Sequence, residues 1–129
     1  MRAIAVVVLA GLCAGCVTQG QGPTTAKTST PTTLTAADTK AIHEGIRKAL
    51  KDPDSARYGT MTASVNEKGS VTVCGFVNAK NSFGGYTGEK PFVGILSRNL
   101  GLFSIIGMGG GESDDFAVRH VCRGAGLTV

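Results

Sequence analysis

The chain opens with thirteen apolar or small residues, Ala3 to Gly15, behind a single positive side chain, Arg2. Spanning a bilayer core as a helix takes roughly 20 residues, so this run is too short to be a permanent membrane helix. Nor does it read as part of a folded core. The next stretch, Val17 to Thr33, is Thr, Gln, Gly, Ser, Pro and Lys with almost nothing apolar, which would cut a core element off from its core. One positive charge, an apolar centre and small residues at the end form the three-part layout of a secretory signal peptide. The folding problem therefore belongs to the remainder of the chain.

The end of the run, Leu12-Cys13-Ala14-Gly15-Cys16, resembles the lipobox of bacterial lipoproteins. There a diacylglycerol is placed on the cysteine and a peptidase cuts before it. Ala14, Gly15 and Cys16 match the pattern, while Cys13 stands where the family usually has Leu. The resemblance implies cleavage after residue 15 and a lipid anchor on Cys16. Ordinary cleavage without lipid is the alternative. Two or more acyl chains anchor stably where one holds marginally. By the same resemblance, Val17 in place of Asp implies sorting to the outer membrane, facing the periplasm.

Export sorts the cysteines. Cys13 leaves with residues 1–15 and Cys16 takes the lipid, so Cys74 and Cys122 remain as an even pair in an oxidising compartment. The expectation is a disulfide closing a long loop, which contributes roughly 4 kcal/mol in the chain-entropy model. That is large for a domain of fewer than a hundred residues, whose core is small. A zinc site is the rival reading, but His43 and His120 show no paired ligand spacing with these cysteines. No cofactor motif is present.

Removal of residues 1–15 leaves twelve basic and nine acidic side chains, a mild excess suited to lipid headgroups or cell-wall polymers. Nucleic acid is not an expected partner, because the basic residues are scattered and aromatics are few. The organisation expected is a signal peptide over 1–15, a lipidated cysteine with a flexible tether over 16–33, and one domain over 34–129. The tether follows from composition, since so polar a segment cannot offset its ordering entropy.

Within the domain, Thr35 and Asp38 form a capping-box-like start. Ala41, Ile42, Ile46, Ala49 and Leu50 then recur at helical spacing up to the stop at Asp52-Pro53. Residues 60–66 alternate as a half-buried edge strand, with Met61, Ala63 and Val65 inward and Thr62 and Ser64 outward. Residues 70–79 carry apolar groups on both faces, the mark of a central strand. The runs 92–96 and 100–108 suit a second hairpin. The second of these is either a core strand, the favoured reading, or an exposed contact. Residues 113–123 carry helix start and stop signals and also alternate like a strand; helix is favoured. The fold class expected is α+β: a small antiparallel sheet of about four strands backed by one or two helices, with one disulfide.

The stretch Cys74-Gly75-Phe76-Val77-Asn78-Ala79-Lys80-Asn81-Ser82-Phe83-Gly84-Gly85-Tyr86-Thr87-Gly88 resembles a block in small uncharacterised proteobacterial envelope lipoproteins. Asp52-Pro53-Asp54-Ser55-Ala56-Arg57-Tyr58 resembles their upstream motif, and a late cysteine recurs there as Cys122 does here. The resemblance spans roughly residues 42–122, departing over 97–112, and brings no known activity. Physically, Gly84, Gly85 and Gly88 permit positive φ or close backbone approach, and Asn78, Asn81 and Tyr86 offer hydrogen bonds beside them. This is either a ligand or partner loop or a tight connection whose glycines serve the turn.

No catalytic constellation accompanies it. Gly88-Glu89-Lys90 lacks the ending of a phosphate loop, and no serine sits on a nucleophile elbow. The functions left open are an envelope binding module for a protein or cell-wall polymer, an inhibitor or phage-exclusion factor and, least supported, a hydrolase.

Overall fold

The structure is a computed structural model that describes residues 28–129. The expected signal peptide, Cys16 and the first part of the expected tether lie outside the described residues. The elements run β1 (Ser29–Thr32), α1 (Ala36–Arg47), a single 3-10 turn (Pro53–Ser55), β2 (Arg57–Asn66), β3 (Val71–Asn78), β4 (Lys90–Ser97), β5 (Leu102–Met108) and α2 (Glu112–Gly124). The five strands form one antiparallel sheet in sequence order. The fold class is thus α+β with two helices, and the sheet has five strands rather than four.

The additional strand corrects the tether boundary. Ser29–Thr32 pairs with Ala63–Asn66 of β2, so the ordered unit begins before residue 34. Composition hid it because Ser-Thr-Pro-Thr has no apolar alternation; its backbone is held by the neighbouring ladder. Pro31 is tolerated there because an edge strand leaves half of its N–H groups unpaired. In consequence β2 is not an edge strand.

β3 is central and two-faced, as its sequence implies. Val71, Val73 and Val77 face α1, whose Ala41, Ile42 and Ile46 join them with Phe92, Leu96 and Phe103 in the larger core. Burying an aliphatic or aromatic side chain of this size contributes about 1.5–3 kcal/mol each. Cys74 points to the opposite face and packs with Val93, Val118, Cys122 and Leu127. The two helices therefore cover opposite faces of the sheet. The Cys74–Cys122 disulfide bolts α2 to the central strand across a Cα–Cα distance of 6.1 Å.

α1 begins on a side-chain cap, whereas α2 follows Gly111 with no side-chain cap, Ser113 lying inside the helix rather than capping it. Thr35 accepts from the Asp38 amide while Asp38 accepts from the Thr35 amide, the reciprocal box expected at the start of α1. α1 stops at Arg47, a turn earlier than the apolar spacing indicates, and Leu50 packs on the core from the following loop. The 113–123 segment is helix, beginning at Glu112 with three acids in its first turn, where the macrodipole favours them.

Two further expectations need correction. Ser64, placed outward by alternation, is buried, because the C-terminal tail crosses that face and the Ala125 carbonyl accepts from the Ser64 hydroxyl at 2.8 Å. The 100–108 run is neither wholly core nor wholly contact. It becomes the edge strand β5, with Phe103 buried and Leu102 and Ile106 exposed.

Candidate functional site

The strand register gives the sheet two ends. At one end lie Ser29, the β2–β3 turn at 67–70 and the β4–β5 turn at 98–101. At the other lie the 3-10 turn and the eleven-residue β3–β4 connection, residues 79–89. Eight residues of β3 separate the ends by roughly 25 Å at about 3.3 Å per residue.

The β3–β4 connection is organised by its own side chains. Lys80 and Tyr86 form an isolated antiparallel bridge at its neck. The Asn81 side-chain oxygen accepts from the Phe83 and Gly85 amides at 3.0 and 3.2 Å. The Asn81 backbone amide donates to the Gly85 carbonyl, and the Gly84 amide donates to the Asn81 carbonyl. Asn side chains mimic backbone turns in this way. Gly84 and Gly88 have φ of 82° and 89°, which side chains rarely adopt, so these two glycines allow the loop to reverse.

Tyr86 locks the loop onto the 3-10 turn. Its hydroxyl donates to the Ser55 carbonyl at 3.1 Å, and the Ser55 hydroxyl accepts from the Lys80 amide at 2.8 Å. The Arg57 guanidinium lies 4.3 Å over the Tyr86 ring and the Lys80 ammonium 5.6 Å from it. Two cations thus lie against one aromatic ring, with Glu89 at the end of the same connection. Asp52 to Tyr58 and Cys74 to Gly88, two stretches that stand apart in sequence, thus meet as one structure.

The residue that stands out is Phe83. It lies at the loop tip, 96% exposed. A single apolar side chain in water is ordinary on a folded surface; what distinguishes Phe83 is the backbone beneath it, held by Asn81 and by the Tyr86 hydroxyl on Ser55. Sequence reasoning missed it, because residue type alone marks Phe for a core; the signal was its place between Asn81 and two glycines. Of the anticipated loop residues, Asn81, Gly84, Gly85, Tyr86 and Gly88 come together in the exposed loop. Asn78 does not join them: it ends β3 in the ladder opposite Arg57, with its side-chain oxygen buried and unpaired.

Elsewhere the titratable groups serve the fold. His43 stacks on Tyr58 at 3.6 Å, and burial holds its pKa below the ordinary value. Burial also pushes Asp38 up, yet the Thr35 amide, the Arg98 guanidinium and the Thr35 hydroxyl outweigh it and hold its carboxyl below the usual range. His43 and His120 sit on helices covering opposite faces. Among the described residues no three His, Cys, Asp or Glu side chains gather as a metal cluster. A concavity of about 580 Å³ beside β1, β2 and the C-terminal tail has no titratable side chain in its lining. No described helix is long and apolar enough to cross a membrane.

No protein-family model, curated protein or solved structure matches this chain.

Proposed function

We propose that the chain is an envelope lipoprotein, anchored through lipid on Cys16, whose folded domain is a binding module. The β3–β4 loop is its contact surface and Phe83 the anchor side chain. The observation that carries this reading is a nearly fully exposed aromatic on a loop whose shape is fixed before any partner arrives. Binding energy concentrates in a few buried aromatic anchors, and a preformed loop loses little entropy on docking. Phe83 offers an apolar ring with no polar edge, which favours an apolar pocket on an envelope protein. Arg57 and Lys80, against the Tyr86 ring, favour carboxylates at the rim of that pocket. A preformed protruding tip also favours a second reading, a periplasmic inhibitor or exclusion factor in which Phe83 enters the cleft of a hydrolase.

The anchor is tested by the mass of the mature amino terminus, which should show Cys16 first in the chain and acylated. The contact is tested by comparing membrane-extracted partners of the parent protein and of Phe83→Ala. Loss of a specific partner in the variant, with unchanged thermal unfolding, supports the reading. Identical partner lists contradict it.

A further inference from the structure

The opposite end of the sheet carries a second exposed apolar feature. The β4–β5 turn places Leu100 at its tip, 66% exposed, and Leu102 just beyond it, 54% exposed. The two leucines thus form a small paired apolar feature rather than a single exposed side chain. Lys68 lies on the adjacent β2–β3 turn, exposed and outside every ion pair of the described residues. Between the two turns lies an open concavity of about 460 Å³ whose lining includes Lys68, Ser70, Ser97 and Asn99.

Ser29 pairs with Asn66, immediately before the β2–β3 turn, so the chain toward Cys16 departs from the same end as Leu100. Twelve residues, 17–28, separate Cys16 from β1. Even fully extended, a chain of that length reaches no more than about 40 Å. A leash that short keeps its end of the domain at an effective concentration in the millimolar range beside the bilayer.

We propose that this end seats on the membrane bearing the anchor, with Leu100 and Leu102 in the lipid interface and Lys68 among the headgroup phosphates. The inference rests on the anchored reading above and adds an orientation to it: the β3–β4 loop then points away from the membrane. Charge plays a minor part. Arg98 is spent on Asp38, and Glu67 adjoins Lys68, so the seating end carries almost no net charge. Insertion is of the peripheral kind, with apolar side chains at the boundary between headgroups and acyl chains.

The chain has no tryptophan, so single reporters are available at both ends. The mature lipoprotein is reconstituted into phosphatidylcholine vesicles with and without acyl-chain bromine, as Leu100→Trp and, separately, Phe83→Trp. Emission from Leu100→Trp should shift to the blue and be quenched severalfold by the brominated lipid. Emission from Phe83→Trp should stay solvent-like and unquenched. Adding Leu102→Ser to the first reporter should reduce its quenching, whereas adding anionic lipid should change it little. Protein that floats with the vesicles while Leu100→Trp remains solvent-like overturns the seating and leaves the anchor intact. Protein that neither floats nor carries lipid overturns both. Equal quenching at the two positions also overturns the orientation.

Discussion

The two ends of the sheet each hold an apolar side chain in water, but on different backbones. Phe83 rides on eleven residues tied down by Asn81, by the Tyr86 hydroxyl on Ser55 and by the Arg57–Tyr86 stack. Leu100 sits on a minimal turn, and the organised feature near it is internal. There Arg98 reaches Asp38 at 3.0 Å and the Thr33 carbonyl at 2.7 Å, stapling the turn to the start of α1. One end spends its polar groups on fixing the shape of an exposed loop; the other spends them on holding the fold. A shaped loop suits a partner with a shape of its own, whereas a bare apolar tip suits a surface without one, such as lipid. Exposure alone would have scored the two ends alike. What separates them is how the backbone beneath is held.

The largest effect should strike both ends together. Replacing Cys74 and Cys122 by serine removes the bolt between α2 and β3 and should lower stability by about 4 kcal/mol, read by thermal or denaturant unfolding. Loss confined to one end, seen by hydrogen exchange, would mean that the ends unfold separately.

Arg98→Ala comes next, at about 1–2 kcal/mol, because it leaves the buried Asp38 carboxylate with the Thr35 contacts alone. Exchange should rise around 32–38 and 97–101 while residues 79–89 stay protected as before. Asn81→Ala should do the converse. It removes the two bonds that shape the loop, costs about 1 kcal/mol or less in global stability, and speeds exchange at 83–85 without touching the Arg98 staple. Partner binding should weaken in that variant although Phe83 is still present, which separates loop shape from the ring itself.

The smallest effect is that of pH. His43 stacks on Tyr58 beside the loop end, and burial lowers its pKa in the folded state. The unfolded chain therefore takes up a proton first, near pH 6.5. Stability is full above that value and declines as pH falls toward the depressed folded pKa. Below the ordinary carboxylate range Asp38 adds to the loss, since its folded pKa is also lowered. Unfolding midpoints measured from pH 7.5 to 5 should fall gently, and His43→Gln should flatten the slope.

Much of this frame is legible in the residues, and the exceptions share a cause. The Thr35–Asp38 box, the two-faced β3, the acidic first turn and the stop of α2 and the cysteine pair are local or compositional signals. β1 is not, because Ser-Thr-Pro-Thr becomes a strand through pairing with β2, which its own side chains do not specify. Arg98 reads as a turn residue because its carboxylate partner lies 60 positions away. Ser64 reads as outward because nothing local announces that the tail will cross over it. In the loop, Asn81, Tyr86 and the glycines were readable as a cluster with hydrogen-bonding capacity. Which of them shape the loop and which side chain they leave in water depended on the Ser55 and Arg57 contacts, again distant in sequence.

The most direct test places a photo-crosslinking amino acid at position 83 and, in a second strain, at position 100, in otherwise intact cells. A tip made for a protein pocket should yield one recurrent protein adduct from position 83, abolished by Asn81→Ala, and no such adduct from position 100. No adduct at position 83, or the same set of adducts at both positions, would contradict the assignment of the β3–β4 loop as the contact surface.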